Sequence, residues 1–172
     1  MNRKNQIKLI IAVVLVIVVL DQATKALVMA HVPQGTSMAE GPGPHFFQIT
    51  HQRNTGLVGG LFHDRPLIAY TAPAVAMLVL LYLFRYLDPR SRVQSIAYGL
   101  IAGGAVGNNL LDRLIHGSVT DFLQFHFYFV PFDFPWKYYP AFNIADSAIC
   151  VGVFLLIVTW HIFGAENVPE TA

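Results

Sequence analysis

Two aspartates, Asp121 in "GSVTDF" and Asp146 in "FNIADSAI", are the residues of this sequence best suited to chemistry. Two carboxylates a few ångströms apart cannot easily both ionise; one keeps its proton and its pKa rises. Such a pair offers a general base and a general acid at once. The ionised partner takes a proton from water, and the protonated one donates to a carbonyl oxygen. This chemistry needs neither a metal nor a covalent nucleophile, so no metal and no cofactor is expected. Each aspartate falls at a helix–loop junction, where a side chain can enter an open cavity.

Other polar residues share that neighbourhood. Asp21 and Lys25 are four apart and can pair along one helix face; Asn109 and Arg113 have the same spacing, and Asn109 and Asp112 are three apart. Arg113 beside Asp112 points to a structural ion pair there, which disfavours Asp112 for chemistry. At about 100° per residue, a continuous helix would put Asp112 and Asp121 on opposite sides. Gly117, a good C-cap residue, provides a break that turns Asp121 back toward the other acids. Plainer readings stand beside each candidate. Asn143 and Asp146 could be a helix cap and its first turn, Asp121 a loop acid, and Asp21 with Lys25 a helix-end pair. Their joint placement at one depth favours a single polar site.

Rival chemistries lack support. There is no G-x-S-x-G elbow and no H-E-x-x-H pair. The seven histidines are scattered, and most are expected at surfaces or interfaces. Cys150 is expected to be a buried, inert thiol. Gly99, Gly103, Gly104 and Gly107 suit close helix packing.

The elements that must position these residues are set by composition. The chain has 172 residues, is 55% hydrophobic and only 12% charged, and has a net charge of +1. Soluble domains carry about 25% charged residues, so most apolar surface here is expected to face lipid. Near-neutral charge gives no basic stripe for nucleic acid. Four apolar runs, Ile7–Met29, Leu67–Leu87, Ile96–Ile115 and Asn143–Phe163, approach the roughly 20 residues that cross a bilayer. Helices are expected, because backbone groups in lipid must pair within their own segment. The start, "MNRKNQIK" followed by "LIIAVVLVIVVL", also resembles a secretory leader, but the apolar run resumes after Lys25 and completes a span.

Arg3, Lys4 and Lys8 flank the first span, and Arg85, Arg90 and Arg92 lie between the second and third. Basic residues mark the cytoplasmic side. Both termini are therefore expected inside, with loops 30–66 and 116–142 outside. The first outer loop carries "PQGTSMAEGPGP" around "HFFQITHQ", which could form one or two short strands. The second, "FLQFHFYFVPFDFPWKYYPAF", suits either an aromatic belt or a lid. The fold class expected is an all-α membrane protein: one domain over residues 1–172, a four-helix bundle with a small outer β-element and an aromatic outer loop or helix. A small ion-coupled carrier and a structural assembly subunit are the rival classes. A carrier should show polar groups across the whole membrane depth, whereas here they gather toward one side.

In order along the chain, "DQATK", "RNTG", "NLLDR", "GSVTDF" and "FNIADSAI" closely resemble bacterial lipoprotein signal peptidase, also called signal peptidase II. The resemblance runs from about Asp21 to Cys150. It implies an inner-membrane aspartic endopeptidase acting near the periplasmic face, cutting lipidated prolipoproteins before a diacylglyceryl-modified cysteine. It places the catalytic pair on Asp121 and Asp146, with support from Asp21, Lys25, Asn54, Asn109, Asp112, Arg113 and Asn143. It also implies a β-cradle, a mobile outer helix, contact with membrane lipid, and inhibition by the cyclic peptide globomycin. A monomer is the expected working unit. One departure stands out: the family reads G-N-x-x-D-R, whereas this chain reads "GNNLLDR". Either Asn108 replaces the family glycine, or one residue is inserted and the helix accommodates it.

Overall fold

A computed structural model of the chain describes residues 1–38 and 45–164, apart from the side chains of residue 58 and of residues 161–164. The later part of the glycine- and proline-rich outer loop, residues 39–44, lies outside the described residues. Helix α1 covers Arg3–His31 and starts on Asn2, whose side chain accepts the Asn5 N–H at 2.9 Å. Strands β1 (Ser37–Met38) and β2 (Phe47–Asn54) follow, then α2 (Pro66–Leu83), with proline at its first position, where no N–H is needed. Helix α3 (Arg92–Ala105) starts on a Ser91 cap and runs into a π-helical segment, Val106–Asp112, and then the short α4 (Arg113–His116). Strand β3 (Val119–Phe125) and helix α5 (Ile144–Gly164) complete the chain.

Two of these helices, Arg3–His31 and Pro66–Tyr86, are long and apolar enough to cross a membrane, and Ile144–Trp160 is a shorter apolar helix. The burial pattern is inverted relative to a protein folded in water. The side chains with the least exposure include Lys25, Gln6, Asn143, Thr120, Asp21 and Asp112, all polar. Leu67, Leu81, Phe154 and Trp160 meanwhile stand on the outside, each more than 60% exposed. Water would penalise that arrangement on both counts; a hydrocarbon solvent favours it.

Glycines set the helix spacing. A Cβ at Gly99 would lie 2.8 Å from the Val13 Cβ, and one at Gly103 would lie 2.9 Å from the Ile17 Cβ, so α3 packs backbone-close on α1. At Gly152 it would meet the Ala97 carbonyl at 2.6 Å, which fixes α5 against α3. At one end of the bundle the Arg3 guanidinium donates to the carbonyls of Phe84 and Leu87, and the Gln6 amide donates to that of Asp88. The start of the chain and the connection between α2 and α3 therefore share an end.

The sheet sits at the other end. Its order is β1-β2-β3, antiparallel throughout. Phe122 packs with Val28 and Val32 from the end of α1. The strand expected from "HFFQITHQ" is β2.

Of the two forms expected for the segment between β3 and α5, loop or helix, the chain takes the loop. Residues 126–140 are an irregular aromatic loop, interrupted by Pro131, Pro135 and Pro140, which cannot continue a helix. Its order comes from ring contacts, such as His126 stacked on Tyr138 at 4.0 Å. Cys150, expected to be buried, is exposed on α5. The helix buries its opposite side, with Ala145, Ala148 and Gly152 turned inward, which leaves Cys150 facing out with Val151 and Phe154.

Candidate active site

Asp121 reaches its place through two backbone devices. Gly117 ends α4 in the left-handed region at φ 70°, its N–H bonded to the Arg113 carbonyl at 3.1 Å, and the chain reverses into β3. Strand β2 then bulges: Ile49 faces Leu123 and Gln52 faces Asp121, three steps along β2 against two along β3. Such bulges re-aim side chains next to functional sites. Asp121 is 4% exposed. Its Oδ1 accepts from Asn143 Nδ2 at 2.8 Å and its Oδ2 from Asn54 Nδ2 at 3.1 Å.

Asp146 belongs to the first turn of α5. Asn143 Oδ1 accepts the Asp146 N–H at 2.9 Å, and Asp146 Oδ2 accepts the Asn143 N–H at 3.1 Å, a reciprocal cap. Asp146 Oδ1 accepts from Asn108 Nδ2 at 2.9 Å. Asn143 therefore joins the two aspartates: its amide nitrogen holds Asp121 and its amide oxygen anchors the helix turn that carries Asp146. The helix-cap reading and the site reading of Asn143 and Asp146 hold together.

Beneath them lies a buried cation. Lys25 Nζ donates to Asp21 Oδ2 at 2.6 Å and to Asn108 Oδ1 at 2.7 Å, and pairs with Asp112 Oδ2 at 2.9 Å. An ammonium has three N–H bonds, and each has an acceptor. Asp21 Oδ1 accepts the Ala145 N–H at 3.0 Å, tying α1 to the start of α5. Asp112 Oδ2 accepts the Thr120 N–H at 3.2 Å, tying the π-helical segment to β3. Gly107 stands where a Cβ would lie 2.8 Å from Asp21 Oδ2.

Asp121 lines a cleft of about 520 Å³, together with Gln52, Asn54, Thr55, His63 and Pro140. Burial first, and then the neighbouring Asp146, push its pKa up to about 7; the Asn54 hydrogen bond, the Lys25 charge and the Asn143 hydrogen bond oppose that rise. A carboxyl that is half protonated near neutral pH, beside a second carboxyl and an open cleft, is equipped for general acid–base chemistry.

The sequence profile described as Signal peptidase (SPase) II matches residues 13–162. The chain belongs to the signal peptidase II family. Among similar proteins, a lipoprotein signal peptidase of Shewanella amazonensis is 40% identical over 152 residues, 85% of this chain and 83% of that protein. One from Syntrophotalea carbinolica is 34% identical over 161 residues, 91% and 93% of the respective chains. A solved bacterial membrane enzyme shares the fold with a TM-score of 0.74 at 28% identity, covering 95% of this chain and 93% of its own. A second has a TM-score of 0.68 at 31% identity, covering 87% and 90%.

Against the signal peptidase II pattern, the irregular "GNNLLDR" now has a physical account. The Arg113 N–H bonds to the Asn108 carbonyl, five residues back, a π turn of the kind that accommodates one added residue. The wider turn brings Asn108 onto the face shared with Asp112. Asn108, not the expected Asn109, contacts Lys25, Asp146 and Asn143; Asn109 is half-buried beside that network. A second correction concerns Arg113, whose expected partner was Asp112. Its guanidinium instead donates to the carbonyls of Thr55 and Gly56 and lies 5.9 Å from the Tyr70 ring centroid. It thus holds the turn in which Asn54 accepts the Gly56 N–H and donates to Asp121. Asp112 takes Lys25 in its place.

Two further residues escaped sequence reasoning. Gln22 donates to both Asp21 (3.2 Å) and Asp112 (2.8 Å); its only signal was membership of "DQATK". His51 is buried in the β2 bulge, with Nδ1 on the Val32 carbonyl at 2.8 Å, an exception to the surface position expected of most histidines.

Proposed function

We propose that Asp121 and Asp146 are the catalytic pair of an aspartic endopeptidase that removes signal peptides from diacylglyceryl-modified prolipoproteins, cutting before the lipidated cysteine. Family membership supports the substrate class, and the motifs in order along the chain support the cleavage position. The observation that carries the mechanism is that Asn143 holds both carboxylates, Asp121 through its side-chain amide and Asp146 through its backbone N–H, with Asp121 lining an open cleft.

The reaction uses one shared proton. The ionised carboxylate takes a proton from water as the water oxygen attacks the scissile carbonyl carbon. The protonated carboxyl donates to the carbonyl oxygen, giving a gem-diol. On collapse, one carboxyl gives its proton to the leaving nitrogen, a gem-diol hydroxyl returns a proton to the other carboxylate, and the C–N bond breaks; the signal peptide leaves as a carboxylic acid that ionises in water. Lys25, Asp21, Asp112, Asn54, Arg113 and Asn143 hold the two acids in place, and Asn108 fills the position that the motif suggested for Asn109.

The protein is read as a four-span monomer of the bacterial inner membrane, with both termini cytoplasmic and the cleft on the periplasmic side. The inverted burial and the gathering of the acids at the sheet end support that reading. Membrane lipid surrounds the bundle, and globomycin is expected to compete for the cleft. The test is cleavage of a purified precursor in detergent with and without its diacylglyceryl group. Lipidated precursor should be cut at the bond before the cysteine and blocked by globomycin, with unlipidated precursor slower by about two orders of magnitude, the scale of binding energy supplied by remote substrate parts. Equal cutting of both forms would remove the substrate assignment.

A further inference from the structure

We propose that the Gln52 side chain is a substrate-binding group that holds the first main-chain peptide unit on the mature side of the scissile bond; this rests on the peptidase reading above. Gln52 lies directly opposite Asp121 in the antiparallel ladder. Opposed residues share a face, with Cβ atoms about 4.5–5.5 Å apart. Asn54, two residues along the same strand and so on the same face, donates to Asp121, which identifies that face as the one turned to the site. Gln52 lines the cleft and is exposed.

What separates Gln52 from its neighbours is that, among the described residues, nothing partners its amide. The amides of Asn54, Asn108 and Asn143 are committed to Asp121 or Asp146. The Gln52 amide makes no hydrogen bond within the described residues. A primary amide presents a donor and an acceptor side by side, the complement of a peptide N–H and C=O. Its position gives the polarity. Strand β2 runs from Phe47, paired with Phe125 at the far end of the sheet, to Asn54, paired with Val119 next to the helices. Gln52 therefore sits on the side of Asn54 away from the bundle. A substrate whose signal segment lies along the helices, and whose mature chain leaves outward, brings its cysteine and the residue after it to Gln52.

The experiment compares wild-type protein and Gln52→Ala on two lipidated precursor peptides. One is all-amide; in the other, an ester replaces the amide between the cysteine and the next residue, which removes one N–H without adding bulk. Wild type should lose about tenfold in kcat/KM on the ester, the scale of one hydrogen bond. Gln52→Ala should lose about tenfold on the amide precursor and little more on the ester. Its pH profile should match wild type. Normal turnover of the amide precursor by Gln52→Ala, losses that multiply to about a hundredfold, or a shifted pH profile, which would mean action through Asp121, would each overturn the assignment. The wild-type comparison of the two precursors does not depend on the variant folding. Asp121→Asn in the same assay separates the two readings. Cleavage persisting there removes the aspartic pair, whereas a silent Asp121→Asn beside an unaffected Gln52→Ala removes only the role of Gln52.

Discussion

Asp121→Asn and Asp146→Asn should each lower kcat on a lipidated precursor by about 10³-fold or more, within the range for loss of a positioned acid or base, while KM changes little. An amide neither takes a proton from water nor delivers one to a carbonyl oxygen, so each change removes half of the pair and leaves the cleft its shape. Stability tells lost chemistry from lost structure. Asp121 has a folded-state pKa of about 7 against an ordinary 3.8. The folded protein thus binds more protons than the unfolded one between those values. The stability this group contributes is complete below its ordinary value and is lost as pH rises through about 7. Replacing it with a neutral amide should therefore raise the unfolding temperature at pH 8 relative to wild type, with the gain shrinking toward pH 4. Thermal unfolding in detergent at the two pH values checks this. A variant that is inactive and also melts lower at pH 8 would point to a disturbed fold rather than a missing proton.

Lys25→Met should have the largest effect on stability. The ammonium is 1% exposed and satisfies Asp21, Asn108 and Asp112 together. Methionine matches its length but leaves two buried carboxylates without their cation. Removing one partner of a buried ion pair costs about 3–5 kcal/mol, which for a chain of this size is about 6–20 °C in unfolding temperature. Activity should fall as well, since Asn108 loses the contact that orients its amide toward Asp146. The triple change Lys25→Met, Asp21→Asn, Asp112→Asn should recover much of the lost stability, because no charge is then left unpaired. Unfolding of the single and triple variants, compared by heat in the same detergent, measures the difference. Equal destabilisation of both would mean that packing, not charge, makes Lys25 matter.

The positions of the two aspartates were legible because the surrounding chain is so apolar. In a sequence that is only 12% charged, an acid at a helix–loop junction stands out against its background, and Gly117 marks the break that brings Asp121 back. The strands were legible from β-branched and aromatic residues between glycines and prolines. The wiring between side chains was less so. Choosing Asn108 over Asn109 requires knowing that the helix widens to a π turn, a property of backbone pairing that residue spacing does not reveal. Arg113 sits next to Asp112 in sequence, but its partners, Thr55 and Gly56, come from a loop nearly sixty positions away. Cys150 was misread because an apolar run looks alike whether it faces protein or lipid. The form of the aromatic segment stayed open between loop and helix, because its rings suit either; Pro131 and Pro135 decide the backbone.

The claim that everything rests on is that the two carboxylates hold one proton near neutral pH. Infrared titration of protein labelled with ¹³C-aspartate reads this directly, since a protonated carboxyl and a carboxylate absorb apart. In the wild type a protonated aspartate should disappear with a midpoint near pH 7, and it should be absent from Asp121→Asn. A wild type in which no aspartate releases a proton between pH 5 and 9 would contradict the claim.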